Sequence, residues 1–201
     1  MVRRIVVVLV VLGLSIVVRA QEIPRPASTE ESQLSRILKS AGTLLVRERH
    51  DLNNLPTSLG QDVECEILIV RNLLANDIGT NDTAVGLVLK AKEKYGTKST
   101  YIDPDEIDAL LASLELVEKD GMELTGTPQA SPPGATSHSI EIHYRTKDGM
   151  VLGVYQSKGE LQYAVKLSPT ADYAFLKTVA VSVFKENLKV AKQVADQVLQ
   201  P

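Results

Sequence analysis

S-T-Y-I-D-P-D-E-I-D-A-L-L-A-S-L-E-L-V, residues 99–117, decides how this chain folds, because the hydrophobic period changes within it. Residues 99–102 close a stretch of two-residue alternation, which is strand patterning. From Ile107 the apolar residues recur at Leu110, Leu111, Leu114 and Val117, which is the spacing of a helix with one buried stripe. The junction carries its own start signal. Asp103 suits the N-cap, Pro104 suits the first helical position with its fixed φ and missing donor, and Glu106 supplies the reciprocal carboxylate of a capping box. Lys119 and Gly121 are expected to end the helix.

Upstream of that junction the period is two. Residues 43–52 and 63–73 read as strands, with Val63, Cys65, Ile67 and Ile69 on one face. In residues 85–94, Val85, Leu87, Leu89 and Ala91 face one way and Val88, Lys90, Lys92 and Lys94 the other. A short amphipathic helix precedes them, with Ser28 and Glu31 as its capping box and Leu34, Ile37 and Leu38 as its stripe.

Downstream, residues 121–138 are rich in Gly and Pro and read as a loop joining two halves, 42–120 and 139–201. Residues 139–146, 150–157 and 160–167 alternate as strands, and Lys147-Asp148-Gly149 has hairpin chemistry. In residues 175–184 Val179, Val181 and Val183 alternate with Ala180, Ser182 and Phe184, so a fourth strand is expected there. A closing helix over 185–199 follows, with Leu188, Ala191, Val194 and Val198 buried. The expectation is an α+β domain of two ββββα halves, each an antiparallel sheet with one apolar face covered by a helix.

The N-terminus reads as an address. Arg3 and Arg4 precede an apolar run from Ile5 to Val18, and Val18-Arg19-Ala20 offers small residues for cleavage. The run is short for a helix crossing the hydrocarbon core, which needs about 20 apolar residues. Residues 1–20 are therefore read as a signal peptide cut after Ala20, residues 21–41 as linker and short helix, and the mature chain as secreted or periplasmic without a membrane span. An uncleaved N-terminal anchor is the alternative. Cleavage removes three arginines and no acids, leaving 19 basic against 25 acidic residues, a net charge of −6. Such a balance makes nucleic acid an improbable partner without a segregated basic face.

The chain is 44% hydrophobic and 4% aromatic with no Trp, so the core must rest on aliphatic residues. Cys65 is the single cysteine, which excludes an intramolecular disulfide; it is read as a buried small hydrophobe, the alternative being a thiol that pairs two chains. No metal, cofactor or nucleophile fingerprint occurs, so no catalytic, cofactor-binding or metal residue is expected. Asp103, Asp105, Glu106 and Asp108 are clustered oxygens, but helix capping and dipole compensation explain them. His138 and His143 lie five apart, on opposite strand faces, and make a poor metal pair. Glu141, His143 and Arg145 share a face, the one place where an imidazole beside a carboxylate suggests acid–base work. His50 and Asp51 read as a charged strand end. Lys90, Lys92 and Lys94, with Lys98, read as the lysines of a protected edge strand. Asn81-Asp82-Thr83 is a glycosylation sequon.

The run Y-I-D-P-D-E-I-D-A-L-L (101–111), with H-Y-R-T-K-D-G-M-V-L-G-V-Y (143–155), resembles families of uncharacterised exported proteins known mainly from bacterial genomes. That resemblance covers about residues 42–199 and implies no chemistry. The doubled ββββα plan is similar in topology to the PUR and Whirly folds that bind single-stranded nucleic acid. The sequence lacks the basic–aromatic interleaving such a platform uses. The expected function is a non-enzymatic binding or scaffolding domain with a protein or small-molecule partner. An enzyme with an unfamiliar site and a single-strand binder are the alternatives. Export has a direct test: N-terminal sequencing of the cell-fractionated protein should return Gln21 first, and an intact Met1 in the membrane fraction would establish the anchor instead.

Overall fold

Two antiparallel four-stranded sheets and three helices make up the computed structural model, which describes residues 31–40, 42, 44–73, 83–94, 96–125, 141–157 and 160–200. The chain runs α1 (Gln33–Lys39), β1 (Leu45–Asp51), β2 (Glu64–Asn72), β3 (Thr83–Glu93), β4 (Gly96–Ile102) and α2 (Pro104–Thr125). The second half follows with β5 (Glu141–Arg145), β6 (Val151–Ser157), β7 (Glu160–Lys166), β8 (Ala174–Leu176) and α3 (Thr178–Leu199). Each sheet is a meander with strands in chain order, β1-β2-β3-β4 and β5-β6-β7-β8. The α+β architecture of two ββββα halves is thus present. No helix among the described residues is long and apolar enough to cross a membrane.

One core serves both halves. Cys65, Ile67 and Ile69 of β2 and Val85, Leu87 and Leu89 of β3 join Leu152 and Val154 of β6, Tyr163 and Val165 of β7, and the stripes of α2 and α3. The helices do not each keep to their own sheet. α3 packs most extensively on β3, and α2 touches β5 and β6 as well as β3 and α3. A second, smaller cluster lies on the opposite face of the first sheet, where α1 sets Leu34 against Leu68, Val70, Ala84 and Val88. Gly86 makes that approach possible: a Cβ there would lie 2.6 Å from Leu34 Cδ1 and 2.7 Å from the Ile102 carbonyl oxygen.

Three boundaries differ from the sequence reading. The fourth strand of the second half is Ala174–Leu176 rather than 175–184, and α3 already begins at Thr178. Val179 is exposed while Ala180, Val181, Phe184, Asn187 and Leu188 are buried, a helical order. The valine alternation misled because burying a long stripe on β3 outweighs local β propensity. Second, α2 runs through Gly121 to Thr125, since one glycine costs a helix only about 1 kcal/mol. Third, α1 is capped by Ser32, whose Oγ accepts from Ser35 N at 3.1 Å, rather than by Ser28. Ser28 itself lies outside the described residues, as do the signal peptide with Ala20, the sequon Asn81, His138 and most of the 121–138 stretch.

Leu110 and Leu188 are fully buried; Leu111 and Val194 pack half-buried against the same core; Glu115 is exposed. Leu110→Ala and Leu188→Ala should each cost about 2–5 kcal/mol in a denaturant titration, and Glu115→Ala within about 0.5 kcal/mol.

Candidate functional site

The acidic cluster at the start of α2 is a structural joint. Asp103 Oδ2 accepts from Gln33 N at 2.6 Å, so this carboxylate caps α1 and holds it to α2. Glu106 Oε2 accepts from Asp103 N at 3.1 Å, which completes the expected reciprocal half of the capping box. Its other oxygen accepts from Lys147 N at 2.6 Å, across to the β5–β6 turn. Asp148 in the same turn accepts from Tyr101 N at 3.2 Å, and Lys192 on α3 pairs with Asp108.

Burial raises the Asp103 and Glu106 carboxyls above their ordinary range, against the pull of the amides they accept from. Asp103, Asp105 and Glu106 bring carboxylate oxygens within 4.8 Å of one another. The Lys147 ammonium already stands there, 2.5 Å from Asp105 and 3.9 Å from Asp103. Burial draws that ammonium's pKa down, but the three carboxylates outweigh it and hold the charge on. The lysine thus neutralises part of the cluster's charge.

Of the lysines read as edge protection, Lys90 and Lys92 sit instead on an interior strand, Lys94 follows its end, and Lys98 alone is on the edge strand β4. β3 lies between β2 and β4. Lys90 pairs with Glu66 at 2.5 Å and Lys92 with Glu64 at 3.0 Å, both across to β2, while Lys98 on β4 donates to Thr170. The alternation that suggests an edge is therefore a cross-strand ion-pair ladder. Asp51, Asn54, Glu64, Cys65, Glu66 and Lys90 border a pocket of about 350 Å³ beside this ladder.

The open face of the second sheet differs in character. The β5–β8 register sets His143, Gly153, Ala164 and Phe175 in one row across four strands. The row is large, small, small, large. Tyr155, two residues along β6 from Gly153, lays its ring into the gap: a Cβ on Gly153 would lie 2.7–3.0 Å from three atoms of that ring. Around it stand His143 at 5.9 Å and 63°, Tyr173 at 5.8 Å and 87°, and Phe175 at 6.3 Å and 54°, between centroids and planes. Lys166 lies 5.3 Å over the Tyr173 ring, a cation–π contact. Burial, then the Tyr173 hydroxyl, holds the Tyr155 phenol above its usual range.

Ala164 is wholly covered, yet Tyr173 and Phe175 remain 37% and 39% exposed. Phe175 and Gln162 of this face also border a groove of about 570 Å³, together with Leu59, Leu161, Tyr163 and Lys177.

Glu141, His143 and Arg145 share this face as expected, with His143 Nε2 3.2 Å from Glu141 Oε2 and both side chains exposed. They form its rim. The sequence does not reveal the aromatic members, because Tyr173 lies between the strands expected over 160–167 and 175–184, and Phe175 falls in the latter with the valines. The usable signal was Gly153 in mid-strand with Tyr155 beside it, which marks a close approach on a sheet.

His50 and Glu48, 3.0 Å apart, face solvent on β1. Cys65 is buried, and loss of hydration pushes its thiol up to about 12. No protein-family model, curated protein or solved structure matches the chain.

Since the thiolate is the reactive form, native protein at neutral pH should resist a thiol reagent such as dithionitrobenzoate. One equivalent should be modified only after denaturation. Rapid native modification would place Cys65 in an accessible position.

Proposed function

We propose that this protein is an exported, non-enzymatic binding domain whose binding surface is the aromatic face of the second sheet. The carrying observation is the convergence of His143 from β5, Tyr155 from β6, and Tyr173 and Phe175 from the β8 segment over Gly153 and Ala164, on a face open to water. An antiparallel sheet ordinarily gives its open face to polar residues. Tyrosine and arginine are among the side chains that dominate binding energies, tyrosine because it combines large apolar area with a polar tip and few rotors.

Tilted rings make niches for a single ring or apolar flank, with Arg145 and Lys166 within reach of an acidic group and Glu141 and Gln162 offering hydrogen bonds. The ligand class this supports is a small molecule or protein side chain with an apolar ring face and an acidic substituent. Export supports a partner outside the cytoplasm.

A second reading, single-stranded nucleic acid, gains from one observation: the fold assembles aromatic and basic residues that are scattered in the sequence. Ring tilts of 54–87° count against it, since successive bases stack on parallel surfaces. The enzyme reading rests on Glu141 and His143, which stand 3.2 Å apart and exposed at the rim of this face, where water has free access to both.

With no Trp in the chain, emission comes from six tyrosines, two of which, Tyr155 and Tyr173, lie on this face. Capture from the extracytoplasmic compartment, followed by titration of the captured molecule, should show saturable change in that emission. Tyr173→Ala with Phe175→Ala should weaken binding by at least about tenfold, some 1.4 kcal/mol, with the fold intact by circular dichroism. Equal binding by the double variant would remove the face from the function. Saturable binding of a labelled oligonucleotide at low salt would favour the second reading.

A further inference from the structure

β1 is an edge strand exposed at six of its seven residues. Leu73 N donates to the Leu44 carbonyl and Leu52 N to the Cys65 carbonyl, so the even-numbered residues bond inward to β2. The backbone groups of Leu45, Arg47, Arg49 and Asp51 then point away from the sheet. Among the described residues no strand pairs with that side. The β8 edge is treated differently: Thr57 bridges to Leu176, Ser58 N donates to the Phe175 carbonyl, and Lys177 N donates to the Pro56 carbonyl.

Proteins blunt open edges with short strands, proline, bulges or charged side chains, the last repelling a partner strand that sets like charges opposite them. β1 contains no proline, its register with β2 is unbroken, and its charges alternate in sign through Arg47, Glu48, Arg49 and Asp51. A strand of that kind selects a register rather than forbidding one.

We propose that β1 pairs antiparallel with β1 of a second copy about a two-fold axis at Arg49, joining two first sheets into one of eight strands. A two-fold axis normal to the sheet preserves its faces, so each residue must meet one of its own parity. With the axis at Arg49, Arg47 meets Asp51 of the second copy and Glu48 meets His50, each twice. The like-charged pair at the axis is relieved on either side by Glu66, which lies 3.8 Å from Arg49. Moving the axis to Glu48 sets Glu48 against itself and Arg47 against Arg49 twice. Moving it to His50 retains Arg49 against Asp51 but faces Glu48 with Leu52. Charge complementarity singles out the Arg49 register.

Sedimentation equilibrium on the purified protein tests this independently of any ligand. The expected mass is that of a dimer, weakening as salt is raised. Arg47→Asp and Asp51→Arg should each weaken the dimer at least about tenfold, and the double exchange Arg47→Asp/Asp51→Arg should restore it. Arg47→Ala and Asp51→Ala, which remove attraction without adding repulsion, should give smaller losses while circular dichroism stays native. A wild-type monomer at low salt overturns the proposal. So does a dimer indifferent to all these changes, or single losses that the double exchange does not repair.

Discussion

The contact of α3 with β3 is the constraint on which the rest of this molecule depends. Each half makes a four-stranded meander whose inner face is too apolar to leave in water, and each half owns one helix long enough to cover it. α3 nevertheless lies most extensively on the sheet of the other half, while α2 reaches to β5 and β6. Phe184, Leu188 and Ala191 therefore share one core with Leu87, Leu89 and Leu110. Burial of a side chain such as Leu or Phe contributes about 1.5–3 kcal/mol. Separating the halves would return many such groups to water at once, so the two repeats stabilise each other.

Polar contacts fix how the halves meet. Glu106 accepts one backbone amide from its own helix start and another from the β5–β6 turn, 41 residues on. Asn187, buried on α3, donates to the Asn53 carbonyl at 2.7 Å in the segment after β1. Such bonds contribute modestly when made, about 1 kcal/mol, but leaving a buried group unpaired costs more. They consequently select one docking geometry from among those that apolar burial alone would allow. The acids that read as helix-capping residues serve this joint as well.

Exposure of the aromatic face follows from the same arrangement. With both helices in the shared core, the outer side of the second sheet has no helix over it among the described residues, and its small residues are covered by Tyr155 and its neighbours instead. The first sheet solves the equivalent problem with α1, whose Leu34 lies against Gly86. One sheet therefore carries a helix on its second face and the other carries rings.

Legible in the residues alone were the α+β class, seven of the eight strands to within a few residues, the faces of β2 and β3, the start of α2 and the burial of Cys65. These depend on hydrophobic period and backbone chemistry, which are local. Legible only in the folded chain are the helix over residues 178–184, the interior position of Lys90 and Lys92, the capping by Asp103 of a helix other than its own, and the meeting of Tyr155, Tyr173 and Phe175. Each of these is set by a partner far away in the chain: the β3 surface for the valines, β2 for the lysines, Gln33 for Asp103, and the β6–β8 register for the rings. Period reports which residues share a face of one element. It carries no information about what that face will meet, and both the strand-to-helix correction and the candidate site are consequences of that meeting.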